Sequence, residues 1–163
     1  MIKSKALFLD RDGVINKEIN YLYKIKDFVF NRGIFSLCKK YQNKGFKIIV
    51  VTNQAGISRG YYKENDYLKL TQWMINEFLN RGIIIQKVYH CPHHPEFTGS
   101  CSCRKPGIGM IREAELEFNI DLSKSILIGD KMSDIQAGQN AGVGENLLIL
   151  PNKIPRNLTS NNL

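Results

Sequence analysis

The sequence lacks an uninterrupted apolar run long enough to cross a membrane. A transmembrane helix needs roughly 18 or more apolar residues in succession, and the apolar runs here are only as long as strands. The N-terminus passes from Met1 into such a run without the apolar core and small-residue cleavage site of a secretory signal. We therefore expect a cytoplasmic protein without a membrane partner.

Features that would mark a second domain are also missing. The 163 residues, 43% of them apolar, suffice for one buried core, and neither an internal repeat nor a low-complexity linker interrupts them. The segment after residue 150 differs, because it is polar and rich in asparagine. We predict a monomer with one domain over 1–150 and a loosely held polar tail over 151–163.

A long basic run is absent, although the formal net charge is +8. Positive charge favours anionic ligands such as nucleic acid or a phosphorylated metabolite, or it reflects a basic surface. The lysines are spread along the chain, and no basic helix, aromatic ladder or familiar nucleic-acid module is present. A nucleic-acid-binding protein is therefore kept only as the alternative from another functional class, and a small anionic substrate without a nucleic-acid partner is preferred.

Cysteine is scarce, and three of the four cysteines stand close together. Cys91, Cys101 and Cys103 fall within a span of thirteen residues beside all three histidines. In a reducing compartment this arrangement favours metal binding over cross-linking. Cys38 stands alone in a helical stretch and is interpreted as a small buried hydrophobe.

Short apolar runs alternate with helical patterns along the chain. Runs typical of strands buried on both faces occur at 6–9, 46–51, 83–89, 126–128 and 147–150. Between them, the patterns predict helices at 33–44, 64–81 and around 109–119, and another from near residue 133. The alternation predicts a doubly wound, Rossmann-like α/β fold, in which helices cover both faces of a parallel sheet.

Three of the predicted strands end in groups that could share a site. Asp10 and Asp12 follow the first strand, residues 52–54 follow the second, and Asp130 follows the fourth. Ligands of doubly wound folds bind outside the carboxyl ends of the strands, so these groups should meet there. Two aspartates spaced i, i+2 point the same way in extended chain. Together with Asp130 they would offer a hard cation such as Mg²⁺ the oxygen ligands that it prefers.

Four motifs, taken in order, resemble the haloacid dehalogenase superfamily. They are Asp10-Arg11-Asp12-Gly13, Thr52-Asn53-Gln54, Arg104-Lys105-Pro106 and Gly129-Asp130-Lys131. The insert formed by Cys91-Pro92-His93 and Cys101-Ser102-Cys103 is similar, more narrowly, to that of the D-glycero-D-manno-heptose 1,7-bisphosphate 7-phosphatases and the related histidinol phosphatases. The resemblance extends over residues 7–142.

This resemblance implies an aspartyl-phosphate mechanism. Asp10 would attack phosphorus, while Asp12 would protonate the leaving sugar oxygen and then activate the hydrolytic water. Thr52 and Lys105 would donate to the phosphoryl oxygens. Mg²⁺ would be held by the carboxylates of Asp10 and Asp130 and by the backbone carbonyl of Asp12.

Further residues are candidates for substrate contacts. They are Arg11, Glu18, Tyr21, Asn53, Gln54, Arg104 and Lys131. Arg104 carries a planar fork suited to a second phosphate. Glu18 and Tyr21 could equally belong to an ordinary surface loop, and Lys131 could be a surface lysine. The short stretch between Asn16 and the first helix leaves no room for a large cap domain, so loops would set specificity.

The resemblance also implies a structural zinc ion in the loop 91–103. Its ligands would be Cys91, His93, Cys101 and Cys103, a closed tetrahedral set without a position for water. His90 and His94 are the alternatives to His93 as the nitrogen ligand. Spacing alone leaves His93 and His94 nearly equal, and the family pattern favours His93. The zinc loop would hold the following Arg104 and Lys105 in place.

Taken together, these features predict a Mg²⁺-dependent phosphatase that removes the 7-phosphate of D-glycero-D-manno-heptose 1,7-bisphosphate. Such an activity would serve the synthesis of heptose precursors for lipopolysaccharide or another surface glycan. Two adjacent cations, Arg104 and Lys105, favour a bisphosphate over histidinol phosphate, whose amine is cationic. A histidinol-phosphate phosphatase is the alternative within the family, and a DNA 3′-phosphatase is a weaker one.

Overall fold

The computed structural model describes residues 2–160. These residues contain one parallel five-stranded sheet. The strands are β1 (Lys5–Leu9), β2 (Phe46–Asn53), β3 (Ile85–Cys91), β4 (Ile126–Gly129) and β5 (Glu145–Leu148). Their order is β3-β2-β1-β4-β5, and all neighbouring pairs are parallel. The predicted doubly wound fold is thereby confirmed.

Six α-helices accompany the sheet in the described residues. They are α1 (Ile34–Asn43), α2 (Glu64–Leu79), α3 (Pro95–Thr98), α4 (Gly109–Phe118), α5 (Met132–Ala141) and α6 (Arg156–Thr159). Short 3-10 helices occupy Ile25–Asp27 and Leu122–Lys124. No large cap domain is inserted between the elements of residues 2–160. None of the helices in this range has the length and apolar character that a membrane span requires.

Alternate residues of the central strands pack against different helices. Leu7 and Leu9 of β1 lie in one apolar cluster with side chains of α1 and α2. Ala6 and Phe8 lie in a second cluster with side chains of α4 and α5. Because both faces of the sheet are covered, its strands have continuous apolar runs instead of alternating ones. Cys38 is fully buried in the first cluster, as expected.

The strands β3 and β5 are each displaced by two residues from their predicted positions. Ile83 is not yet part of β3, because its N–H donates to the carbonyl of Phe78 and closes the end of α2, where Gly82 has a φ of 76°. β5 begins at Glu145 because this residue pairs with β4, and Leu150 lies beyond the sheet.

The chain after residue 150 lies against the domain as far as residue 160. The N–H of Asn152 donates to the carbonyl of Gly13 at 2.8 Å, and Ile154 and Leu158 pack against the apolar cluster below α1. These contacts tie the described part of the predicted loose tail to the domain. The domain boundary at residue 150 stays a prediction, and residues 161–163 lie outside the described range.

Candidate active site

The turn after β1 brings Asp10 and Asp12 to the carboxyl edge of the sheet. The N–H of Asp10 donates to Ile128 of the neighbouring strand at 3.2 Å. Gly13 then reverses the chain with a φ of 89°, and a Cβ at this position would collide with the carboxylate of Asp130. Glycine is therefore required for both the conformation and the close approach to Asp130.

A cavity of about 520 Å³ opens at this edge of the sheet. Its lining includes Asp10, Asp12, Glu18, Tyr21, Asn53, Gln54, Arg104, Lys105 and Lys131. These residues come from the loops after β1 and β2, from the loop before α4 and from the turn after β4. The strand ends thus bring most of the predicted substrate-site residues to one cavity, as the topology of the fold requires.

Lys105 connects the carboxylates at the bottom of this site. Its Nζ lies 3.0 Å from Asp10 Oδ1 and 2.5 Å from Asp134 Oδ1, and it donates to the carbonyl of Val51 at 2.8 Å. Burial alone would lower the pKa of Lys105, but Asp10 and Asp134 raise it above its ordinary value. The ammonium group therefore keeps its charge beside Asp10.

Burial dominates the ionisation of the carboxylates around Lys105. Desolvation raises the pKa of Asp10 well above its ordinary value, and Lys105 opposes this shift. Desolvation likewise raises the pKa of Asp130. Both shifts have the direction expected of acidic groups that share a buried site with too little positive charge.

The side chain of Asn53 positions the backbone of Lys105. Its Oδ1 accepts the N–H of Lys105 at 3.0 Å, and its Nδ2 donates to the carbonyl of the same residue at 3.3 Å. Asn53 lines the cavity, as a predicted substrate contact should. Its polar atoms, however, already join β2 to the loop that carries Lys105.

Three buried carboxylates form a group of oxygen ligands that suits a divalent cation. Ligand oxygens of Asp10, Asp130 and Asp134 all lie within 4.8 Å of one another. Both oxygens of Asp130 are buried, and within residues 2–160 neither has a hydrogen-bond partner. Buried acceptors without partners are costly, and oxygen donors are what Mg²⁺ binds. The site therefore fits a magnesium ion, with Asp134 close by in addition to the predicted ligands.

Asp134 braces the start of α5 against Lys105. Its Oδ2 accepts the N–H of Lys131 at 3.1 Å at the start of α5, while Oδ1 pairs with Lys105. Gly129 leaves room for this side chain, since a Cβ there would meet the Asp134 carboxylate. Asp134 thus connects α5 to the loop that carries Lys105.

Asp12 is held by donors on both of its oxygens. Oδ1 accepts from Arg11 Nη2 at 2.9 Å and from Asn16 Nδ2 at 3.0 Å. Oδ2 accepts from Gln54 Nε2 at 3.1 Å and from Arg11 Nη2 at 3.1 Å. The side chain is still 22% exposed, so it reaches the cavity in a fixed orientation.

Arg11 and Thr52 are both buried beside the cavity and do not line it. The guanidinium group of Arg11 lies behind Asp12 and donates to the carbonyl of Leu22. Arg11 therefore orients Asp12, and its contact with a substrate stays a prediction. Thr52 is also fully buried and accepts from Gln54 at 2.9 Å, so its donation to a phosphoryl group stays a prediction.

The rim of the cavity contains charged and aromatic side chains. Lys131 Nζ lies 3.4 Å from Glu18 Oε1, and the ring of Tyr21 stacks on that of Tyr61 at 4.0 Å between centroids. Arg104 Nη1 donates to the carbonyl of His93 at 3.4 Å. Both predicted loop residues, Glu18 and Tyr21, thus belong to the cavity wall.

Several cavity residues were not among the predicted site residues. Arg59, Tyr62 and His94 line the same cavity, and Arg59 Nη2 lies 3.1 Å from His94 Nε2. Arg59 and Tyr62 follow Gln54 in the loop after β2. Their position after a strand that ends at the cavity could have identified them from the sequence, because loops at this edge of a doubly wound sheet contact the ligand.

The cysteine cluster brings together all four predicted zinc ligands. Ligand atoms of Cys91, His93, Cys101 and Cys103 lie within 4.8 Å of one another. His94 instead accepts the N–H of Glu96 at the start of α3, which favours His93 as the nitrogen ligand. The structure also joins Cys91 and Cys103 in a disulfide, which differs from the predicted set of free thiolates.

Three of the remaining distances within the cluster resemble the edges of a tetrahedral site. Cys101 Sγ lies 3.6 Å from Cys91 Sγ and 3.7 Å from Cys103 Sγ, and His93 Nδ1 lies 3.5 Å from Cys91 Sγ. The distance from His93 Nδ1 to Cys103 Sγ is shorter, at 3.2 Å. Ligands bound to zinc at about 2.0–2.3 Å are separated by roughly 3.5–3.8 Å. The donor set and its spacing therefore fit a zinc ion once the two joined sulfurs separate.

Comparison with known proteins identifies similar sequences. The profile of the Hydrolase_like family, described as HAD-hydrolase-like, matches residues 102–149. The D-glycero-alpha-D-manno-heptose-1,7-bisphosphate 7-phosphatase of Campylobacter jejuni is 51% identical over 91% of this chain and 84% of its own length. The D-glycero-beta-D-manno-heptose-1,7-bisphosphate 7-phosphatase of Yersinia pestis is 41% identical over 91% of this chain and 81% of its own length.

A solved structure has the same fold. The D,D-heptose 1,7-bisphosphate phosphatase of B. bronchiseptica, crystallised with magnesium and phosphate, superposes with a TM-score of 0.79. It is 27% identical, and the match covers 86% of this chain and 78% of that one.

Proposed function

Because the chain belongs to the HAD-like family of the heptose-1,7-bisphosphate 7-phosphatases, we propose that it hydrolyses the 7-phosphate of D-glycero-D-manno-heptose 1,7-bisphosphate. The observation that carries this proposal is one cavity that holds Asp10 and Asp12 together with Arg59, Arg104 and Lys105. The two acids supply the chemistry, and the cations suit a substrate with two phosphates. The product would serve the synthesis of lipopolysaccharide or another surface glycan.

In the proposed reaction, Asp10 attacks phosphorus and forms an aspartyl phosphate. The bond between phosphorus and the sugar oxygen breaks, and that oxygen takes a proton from Asp12. Asp12 then takes a proton from water, whose oxygen attacks the same phosphorus and releases inorganic phosphate and free Asp10. Lys105 stays charged beside Asp10 and stabilises the negative charge of the transferring phosphoryl group.

A magnesium ion belongs to this proposal. The carboxylates of Asp10 and Asp130 and the backbone carbonyl of Asp12 would hold it. The partnerless oxygens of Asp130 support this assignment. When bound, the ion offsets the charges of the carboxylates and of the substrate phosphate.

We also propose a structural zinc ion bound by Cys91, His93, Cys101 and Cys103. This set leaves no position for water, so the ion would brace the loop before Arg104 and Lys105. Thiolate ligands need a reducing compartment, and the proposal therefore includes a cytoplasmic location.

We expect the alpha anomer to be the better substrate. The relative named for the alpha anomer is 51% identical to this chain, and the relative named for the beta anomer is 41% identical. The test compares kcat/KM for both anomers of the 1,7-bisphosphate, histidinol phosphate and a 3′-phosphorylated oligonucleotide. The alpha bisphosphate should be hydrolysed fastest.

Two outcomes would require a different assignment. A kcat/KM for histidinol phosphate above that for both bisphosphates would identify the protein as a histidinol-phosphate phosphatase with the same mechanism. If phosphate were released only from the oligonucleotide, the substrate would be a nucleic acid and not a sugar phosphate. Analysis of the product by NMR would show whether the phosphate at C1 is retained, as the proposal requires.

A further inference from the structure

Gln54 is fixed between three polar side chains beside the cavity. It is 3% exposed, and its Nε2 donates to Asp12 Oδ2 at 3.1 Å and to Thr52 Oγ1 at 2.9 Å. Its Oε1 accepts a hydrogen bond from the hydroxyl of Tyr62. Both ends of the amide are therefore occupied.

The hydroxyl of Tyr62 anchors the end of the amide that faces away from Asp12. The two ends of a glutamine amide are nearly equal in shape, so their hydrogen-bond partners decide its orientation. Burial raises the pKa of Tyr62, so the phenol keeps its proton and donates to Oε1. Because the Asp12 carboxylate only accepts hydrogen bonds, the amide nitrogen points toward it. The opposite orientation would place Oε1 against a carboxylate.

Gln54 restrains Asp12 from a different part of the fold. The other donors to the Asp12 side chain are Arg11 and Asn16, which belong to the same turn as Asp12. Within residues 2–160, Gln54 is the one hydrogen-bond donor to this carboxylate from another strand end. The turn can move as a unit with Asp12, but a contact from β2 fixes the carboxylate relative to the sheet.

We propose that Tyr62 is a positioning residue that acts through Gln54 to orient Asp12 toward the leaving oxygen of the substrate. This inference rests on the proposed function, in which Asp12 delivers a proton to that oxygen. Gln54 accordingly serves as a support for Asp12, and the hydroxyl of Tyr62 keeps its amide in the useful orientation.

The variant Tyr62→Phe tests this role, because it removes only the hydroxyl. The readout is kcat/KM for two substrates, heptose 1,7-bisphosphate and p-nitrophenyl phosphate. A sugar alkoxide leaves poorly without a proton, whereas nitrophenolate leaves without one. We expect roughly a tenfold loss with the sugar phosphate, the usual order for one lost hydrogen bond in a polar network, and less than about a twofold loss with the aryl phosphate.

Two further variants complete the experiment. Tyr61→Phe removes the hydroxyl of the neighbouring tyrosine, which is 54% exposed, and should behave like the parent. In the Gln54→Leu background, Tyr62→Phe should cause no additional loss, because a residue that acts only through Gln54 has nothing left to orient. Thermal melting of each variant checks that the fold is retained.

Equal losses with both substrates would overturn the proposal and indicate a general structural effect. Additive losses in the double variant, or a parent-like rate of Tyr62→Phe with the sugar phosphate, would also overturn it. If the parent did not hydrolyse heptose bisphosphate, the proposed substrate would be wrong. The same comparison would then use an alkyl phosphate that the parent does hydrolyse, so the two failures remain distinguishable.

Discussion

The ammonium group of Lys105 donates a 3.0 Å hydrogen bond to Asp10, although 95 positions of the sequence separate the two residues. Lys105 is also 2.5 Å from Asp134, and Asp130 belongs to the same carboxylate group. One buried cation thus faces three buried carboxylates. This imbalance of charge is the basis of the predictions for Lys105 and Asp130.

Replacing Lys105 should destabilise the protein strongly when no metal is bound. In Lys105→Met the buried carboxylates lose their nearby cation, and breaking a buried ion pair costs about 3–5 kcal/mol. The free energy of unfolding from urea titrations in the presence of a chelator measures this loss. Added Mg²⁺ should restore part of it, since the ion offsets the same charges.

The matched control is Lys87→Met, which breaks the exposed pair of Lys87 and Glu117. Exposed pairs contribute about 0–1 kcal/mol. Similar losses of unfolding free energy in the two variants would show that the buried pair stabilises the protein no more than the exposed pair does.

Asp10→Asn should remove turnover while leaving the fold intact. The neutral amide is a poor nucleophile, and removal of an essential group of this kind typically costs roughly a thousandfold or more. Phosphate release and circular dichroism measure the two effects. Asp27→Asn, on an exposed 3-10 helix, should keep the parent rate. Near-parent turnover by folded Asp10→Asn would remove the assignment of the nucleophile.

Asp130→Asn should weaken magnesium binding strongly and should change the stability of the metal-free protein less. The carboxylate of Asp130 accepts from no donor among the described residues, and its replacement removes an anionic ligand. The measurement is the rise in Tm on adding Mg²⁺, which should be large in the parent and small in the variant. The control Asp121→Asn, at an aspartate outside the carboxylate group, should retain the parent response. An unchanged response in Asp130→Asn would contradict the metal site.

Purified protein should contain about one equivalent of zinc, which Cys101→Ser should lose. The main consequence should be a lower Tm, since the site has no open position for catalysis. Cys38→Ala, at a buried cysteine outside the cluster, should keep its zinc.

A thiol count distinguishes zinc from the Cys91–Cys103 disulfide. Under non-reducing denaturing conditions with a chelator, a zinc-bound protein should yield all four thiols. A disulfide would leave only Cys38 and Cys101 free. Two thiols and no zinc in freshly prepared protein would therefore refute the zinc proposal.

Arg104→Ala should impair recognition of the second phosphate. We expect KM for the heptose bisphosphate to rise about tenfold or more, because a charge-assisted hydrogen bond is lost, and KM for a monophosphate to change much less. Arg112→Ala, on the exposed side of α4, is the matched control. Equal effects on both substrates would assign Arg104 to the transferred phosphate instead.

The sequence was sufficient to predict the sheet and the edge at which the cavity opens. The central strands are buried on both faces, so their apolar runs are continuous and easily recognised. In a parallel sheet the carboxyl ends of the strands share one edge. For that reason the positions of Asp10, Asp12 and Lys131 at the cavity followed from order along the chain.

The sequence did not reveal which neighbouring side chains face the substrate and which support other residues. Arg11, next to both acids, lies behind Asp12 and away from the cavity. Asn53 binds the backbone of Lys105, 52 positions away. Such roles depend on the direction in which each side chain leaves its turn, and strand periodicity no longer fixes this direction once the strand has ended.

By itself, the sequence determined the alternation of buried strands and helices, the residues at the strand ends and the cluster of cysteines with histidine, because these depend on local pattern and spacing. The tertiary structure alone decided that Lys105 neutralises Asp10 and Asp134, and that Tyr62 and Gln54 hold Asp12. These contacts join separate loops, and their hydrogen-bond geometry is set only when the sheet has brought the loops together.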